Sequence, residues 1–264
     1  MKIAIAFFGS IGKMKRFHKL NYDELEDIDI EVCYRHFKKN VLEHNANLDI
    51  NCFIHTSSLH LKDKVTSLYP LKSFLFEENS FELPKIIKSK SYEYNANLRK
   101  LYAAMSRFHS QQQVIKLIKE SGEKYDLVFL LRPDIVFLEP IFLGNLLPDI
   151  FYIQNINNKK IKHVWNDPII GDWFFIANQE RIYNFVDECN NSNKIMEIKY
   201  YDQHVICKNA LSKVCRKFSN VSSILSRYND HQIYKWLFKE YWPKANYVFE
   251  DNFFRLKSRI KIDG

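Results

Sequence analysis

Residues 3–8 (IAIAFF) are apolar without interruption. A strand covered on both faces, as in a parallel sheet, reads this way, whereas a half-solvated strand alternates. The run breaks at Gly9-Ser10-Ile11-Gly12, and a glycine at the carboxyl end of such a strand lets the backbone come close to a ligand. Over 31–44, Val32, Phe37, Val41 and Leu42 recur at near-helical spacing, with Lys38, Lys39 and Glu43 on the polar side. That predicts an amphipathic helix. Residues 48–56 (LDINCFIHT) predict a second strand that ends in His55-Thr56. Strand, turn, helix and strand make a βαβ unit, right-handed by default.

Residues 60–90 are mixed, with a short strand expected at Ser73-Phe74-Leu75-Phe76. Leu98, Leu101, Met105, Phe108, Val114, Leu117 and Ile118 predict a helix or helix pair over 92–122, ended by Ser121-Gly122. Residues 125–131 (YDLVFLL) form the strongest strand signal and run straight into Arg132-Pro133-Asp134. Proline cannot donate to a ladder, so the strand bends, bulges or stops there. A further strand is expected at Phe151-Tyr152-Ile153, a polar, basic loop over 155–162, and an aromatic strand starting at Asp172. Asn178 suits the cap of a helix over 179–189, and Asp202 opens another helix that reaches about 213. Strands alternating with helices predict an α/β fold. No internal repeat or linker divides residues 1–264, and 216–264 read as a C-terminal extension.

Composition narrows the class. The chain has 264 residues, 46% of them hydrophobic, enough for one substantial core and too apolar for a disordered tail. The formal charge of +8 fits nucleic acid, an anionic membrane face, a phosphate-bearing ligand, or plain solubility. Against nucleic acid, no helix-turn-helix, RRM or zinc pattern is present. The five cysteines contain no CxxC and fit no disulfide framework, which points to reduced thiols in the cytoplasm. The opening apolar run is too short for a secretory signal and reads as a core strand. No run approaches the roughly 18 apolar residues of a membrane span.

Candidate chemistry sits where polar residues interrupt apolar runs. Asp134 can help hold a divalent cation against a diphosphate, and Arg132 can offset the same charge. Equally, the two can form an ion pair that closes the strand end. Asp172 is a candidate general base or acceptor-binding group, or a strand-start aspartate; Asp167, before Pro168, is a weaker substitute. Asp202 offers a base or a helix cap, and His204 a metal ligand or a structural histidine. His55-Thr56 stands where a base or ribose sits in a doubly wound sheet. Ser110-Gln111-Gln112-Gln113 either lines the cleft or is solvated, with solvation preferred for Gln112 and Gln113.

In order, IAIAFFGSIGKMKRF, CYRHFKKNVLEHN, DINCFIHT, YDLVFLLRPD and GDWFFIAN resemble the bacterial glycosyltransferases of capsular polysaccharide and lipopolysaccharide synthesis. The resemblance spans about residues 1–215. It implies a GT-A-like, Rossmann-like fold: a mixed, mostly parallel sheet flanked by helices. It also implies a nucleotide-sugar donor and a growing surface glycan, free or lipid-linked, as acceptor. Arg132–Asp134 stands where GT-A enzymes carry Asp-x-Asp, although position 132 is Arg and the family's first Arg is Leu130. Lys13 or Lys15 takes the place of the Arg that often follows the glycine turn.

The expected donor site is therefore Phe8, Gly9, Ser10, Lys13, His55, Thr56, Arg132 and Asp134. Asp172 and Asp202 are the catalytic candidates, and Asp134 and His204 the ligands of a divalent cation, Mn²⁺ or Mg²⁺. Transfer of a phosphate-containing group to a sugar shares every one of these features. The basic tail 253–261 suggests peripheral contact with the inner face of the membrane.

Overall fold

The computed structural model describes residues 1–11, 29–78, 92–137, 140–155, 170–194, 207, 221–223 and 253–255. The first strand, β1 (Lys2–Phe8), is followed by α1 (Ile30–Phe37). The side chain of Asp29 caps α1 by accepting from the Glu31 N–H at 3.0 Å. The expected helix then continues as a π-helical turn (Lys38–Leu42) and a 3₁₀ turn (Glu43–Asn45) before β2 (Asp49–Thr56). Next come α2 (Lys62–Leu68), β3 (Leu71–Phe76) and the long α3 (Tyr92–Glu120). Gly122 ends α3 at φ +68°, a left-handed conformation that glycine adopts at little cost.

Beyond α3 lie β4 (Leu127–Leu131), β5 (Ile135–Phe137), β6 (Phe151–Asn155) and β7 (Ile170–Ala177). Then follow α4 (Gln179–Lys194), β8 (Val221–Ser223) and β9 (Phe253–Arg255). Asn178 caps α4 as its sequence position predicts, its Oδ1 accepting from the Arg181 N–H at 2.9 Å.

Among the described residues the main sheet has the order β3-β2-β1-β4-β7-β6-β8. The neighbours β3–β2, β2–β1, β1–β4 and β6–β8 are parallel, and β4–β7 and β7–β6 antiparallel. The sheet is mixed and mostly parallel, and the fold is α/β. β5 leaves this sheet and pairs with β9 in a second, two-stranded one. Pro133 sits at that departure, so the bend expected there separates β4 from β5. Two pieces of the C-terminal extension, β8 and β9, thus pair with strands of the preceding chain.

Alternate residues of β1 explain its unbroken apolar run. Ile3, Ile5 and Phe7 pack with Val32, Cys33 and Phe37 of α1 and Val65 of α2. Ala4, Ala6 and Phe8 face the other way, onto Ala104, Phe108 and Ile115 of α3. Helices therefore cover both faces, and the two alanines let α3 approach closely. After β3 the chain crosses to the opposite face through α3 and adds β4 beside β1. That reversal between β1 and β4 is a topological switch point, and open α/β sheets bind ligands at the carboxyl ends of the strands there.

Candidate functional site

Six residues selected at the ends of apolar runs fall on one edge of the sheet. Gly9 and Ser10 follow β1, His55 and Thr56 close β2, and Arg132 and Asp134 follow β4. Because these strands are parallel neighbours, their carboxyl ends share that edge. Gly9 has φ +95°, outside the range that side-chain-bearing residues favour. The turn is held from two sides by hydroxyls. The Gly9 N–H donates to Ser110 Oγ of α3 at 2.6 Å, and the Ile11 N–H donates to Ser58 Oγ at 2.9 Å. Ser58 Oγ in turn donates to the Ile11 carbonyl at 3.3 Å.

Arg132 and Asp134 form a bidentate pair. Arg132 Nε donates to Asp134 Oδ1 at 2.8 Å and Nη2 to Oδ2 at 2.7 Å. Asp134 is fully buried and Arg132 is 8% exposed. The same Nη2 reaches the Ser10 carbonyl at 3.5 Å, and the Arg132 N–H donates to the Trp173 carbonyl at 2.9 Å. The guanidinium thus spans the switch point from β4 to the turn after β1. Two N–H···O bonds in a planar fork fix the carboxylate firmly. This geometry is the strand-end ion pair, one of the two arrangements expected of these residues, with both carboxylate oxygens of Asp134 accepting from arginine.

On the other side of the turn lies a second cluster. His55 Nδ1 is 2.7 Å from Ser110 Oγ, and His55 Nε2 is 3.1 Å from Glu77 Oε1. His109 Nε2 reaches the same Glu77 oxygen at 3.0 Å. Three elements supply this cluster: the end of β2, the residue after β3, and α3. The Glu77 N–H donates to the Thr56 carbonyl at 3.3 Å, fixing the start of its loop. Burial lowers the His55 pKa, and the contact with Glu77 only partly offsets that. For Glu77, desolvation pushes the carboxyl up, but the bonds from His109 and His55 outweigh it and leave the pKa below its ordinary value.

These atoms set limits on the chemistry. Ser110, His55 and Glu77 stand in a line like that of a hydroxyl nucleophile with its base. Ser110 is buried, however, and its oxygen accepts from Gly9 and donates to the His55 carbonyl at 3.1 Å. It orients the histidine and the turn rather than presenting a nucleophile. His55, Glu77 and His109 offer one ligand atom each, all within 4.8 Å of one another, so the group can hold a metal ion.

No protein-family model matches the sequence, and no curated protein matches it.

The remaining expected residues fall out as follows. Phe8 is fully buried in the core against α3, with the Arg107 guanidinium 5.3 Å from its ring centroid, so its side chain does not line the edge. Thr56 is buried and its Oγ1 accepts from the Ser58 N–H at 3.2 Å. Asp172 lies in β7, which begins two residues earlier than expected, at Ile170. It adjoins Trp173, whose carbonyl accepts from Arg132, so its backbone runs along the same edge. Lys13, Lys15, Asp167, Asp202 and His204 lie outside the described residues.

Gln112 is exposed and Gln113 partly so, as solvated positions, whereas Ser110 and Gln111 are buried. Sequence reasoning missed Ser58, Glu77 and His109. Glu77 carried a usable signal: it is the polar residue directly after a strand, the criterion that found His55 and Arg132.

Proposed function

We propose that the chain is a glycosyltransferase with a GT-A-like fold that moves a sugar from a nucleotide-sugar donor to a growing surface glycan of the capsule or lipopolysaccharide kind. The observation that carries this reading is the convergence of Gly9, Ser10, His55, Arg132 and Asp134 on the carboxyl edge beside the switch point. In this account the nucleotide lies across the ends of β1 and β2, with its diphosphate next to Ser10. The departing diphosphate needs positive charge that strengthens as the sugar bond breaks. Arg132 is neutralised by Asp134, so that charge comes from Lys13 or Lys15, or from a divalent cation, which would act as a Lewis acid. The Arg132–Asp134 pair shapes the floor of the site and holds the Ser10 carbonyl. Asp172 or Asp202 places or deprotonates the acceptor hydroxyl.

No helix among the described residues is long and apolar enough to cross a membrane. A lipid-linked acceptor would then be met at the membrane surface, through the basic tail.

The test is thermal unfolding of the whole chain with a panel of nucleoside diphosphates and nucleotide sugars, with and without Mn²⁺. Ligand at a hundred times its dissociation constant adds about 2.7 kcal/mol. Ser10 is exposed at the edge, so Ser10→Trp obstructs the donor without disturbing the core. One nucleotide class should stabilise the wild type and leave Ser10→Trp unmoved. Absence of any nucleotide shift, or an equal shift in both proteins, sinks the proposal.

A further inference from the structure

We infer that His55, Glu77 and His109 form a binding site for a divalent transition-metal ion. Two imidazole Nε2 atoms meet a single carboxylate oxygen, at 3.1 and 3.0 Å. With metal–ligand bonds of about 2.0–2.1 Å, ligand atoms lie about 3.3 Å apart in a tetrahedral site and about 3.0 Å apart at right angles in an octahedral one. The two histidine–glutamate distances lie within a few tenths of an ångström of these values, and all three ligand atoms lie within 4.8 Å of one another.

The surroundings of His55 suit a ligand. Its Nδ1 is 2.7 Å from Ser110 Oγ, which also donates to the His55 carbonyl at 3.1 Å. That leaves Nε2 as the ring nitrogen that faces Glu77. A ligating histidine commonly donates its other N–H to such an outer group, which fixes its tautomer and ring plane. Ser110 fills that position, and it is itself tied to Gly9.

Two imidazoles with one carboxylate select zinc and its transition-metal neighbours over Mg²⁺, which prefers oxygen ligands and retains its water. Three protein ligands leave open positions, as in sites where a metal meets substrate. The openings face outward, since the side chains of Glu77 and His109 are 35% and 24% exposed while that of His55 is fully buried. Metal binding here is independent of the proposed activity. Only the further step, in which a diphosphate oxygen takes an open position, rests on the glycosyltransferase reading.

The experiment uses the full chain, stripped with a chelator and titrated with Co²⁺, followed by its visible ligand-field absorption and by competition with Zn²⁺ and Mg²⁺. No nucleotide is added, so failure here is separate from failure of the donor assignment. The wild type should take up a single equivalent of Co²⁺, displaced by Zn²⁺ and not by Mg²⁺. His109→Ala and Glu77→Gln should each lower affinity at least tenfold, whereas His44→Gln, a change at an exposed histidine elsewhere, should not. As a check that needs no variant, Zn²⁺ should shift the ring nitrogens of two histidines in long-range ¹H–¹⁵N spectra. Lack of stoichiometric uptake, equal uptake in the ligand variants, or unshifted histidine rings would overturn the site and leave a purely hydrogen-bonded His–Glu–His cluster.

Discussion

Asp134→Ala removes the carboxylate from a pair whose other member cannot give up its charge. Arg132 is 8% exposed and loses two short bonds, keeping a 3.5 Å contact with the Ser10 carbonyl. Leaving one member of a buried pair uncompensated costs about 3–5 kcal/mol. For a domain of this size each kcal/mol corresponds to about 2–4 °C in Tm, so the variant should melt about 6–20 °C lower. Replacing both residues with leucine should cost less than the single change, because the buried guanidinium that has lost its carboxylate is removed as well. Thermal unfolding by circular dichroism at about 0.1 M and about 1 M salt reads both effects; burial predicts little salt dependence. A loss below about 1 kcal/mol, or a loss that vanishes at high salt, would refute the buried-pair reasoning. The same numbers make Asp134→Ala a poor probe of donor binding, since a partly unfolded chain loses ligand for unrelated reasons.

Ser110→Ala leaves the Gly9 N–H and His55 Nδ1 without their shared oxygen, and chemical denaturation should register a loss of about 1–3 kcal/mol. At Gly9, an added Cβ meets Arg132 Nη1 at 3.7 Å, ordinary contact, so Gly9→Ala should cost only the backbone strain of φ +95°, about 1–2 kcal/mol in the same assay. The Glu123 carboxyl is pulled down to about 2 by hydrogen bonds from Lys72, Lys2 and Tyr125. A depressed carboxyl stabilises the fold above its unfolded value and loses that contribution as pH falls toward the folded one. The Tm of the wild type should therefore fall faster than that of Glu123→Gln between about pH 4.5 and pH 2; parallel curves would contradict this.

Elements built on long apolar runs were legible in the sequence. β1 and β4 carry unbroken hydrophobic stretches that end in Gly or Arg-Pro-Asp, β2 carries a shorter one that ends in His-Thr, and α3 carries three-and-four spacing through much of Leu98–Ile118. α2 escaped notice because its seven residues bury only Val65, which makes no stripe. The π-helical turn after α1 leaves the spacing of Val41 and Leu42 nearly helical, so the pattern could not reveal it.

The site divides along similar lines. Gly9, His55, Arg132 and Asp134 were visible because each interrupts a buried run at a strand end. Whether Arg132 and Asp134 would meet a ligand or each other depended on rotamers around Pro133, which residue types do not specify. Ser110 and Glu77 join His55 across 55 and 22 residues. Contacts of that range follow from how α3 crosses the sheet, and no local spacing encodes them.

The central claim is that ligand binds at the carboxyl edge by the β1–β4 switch point. Hydrogen exchange of the whole chain, with and without the nucleotide that raises its Tm most, tests it most directly. Protection is predicted at residues 9–11, 55–58 and 131–134, with α1 and α2 unchanged. Protection confined to the α1–α2 face, or none at the strand ends, would contradict the account.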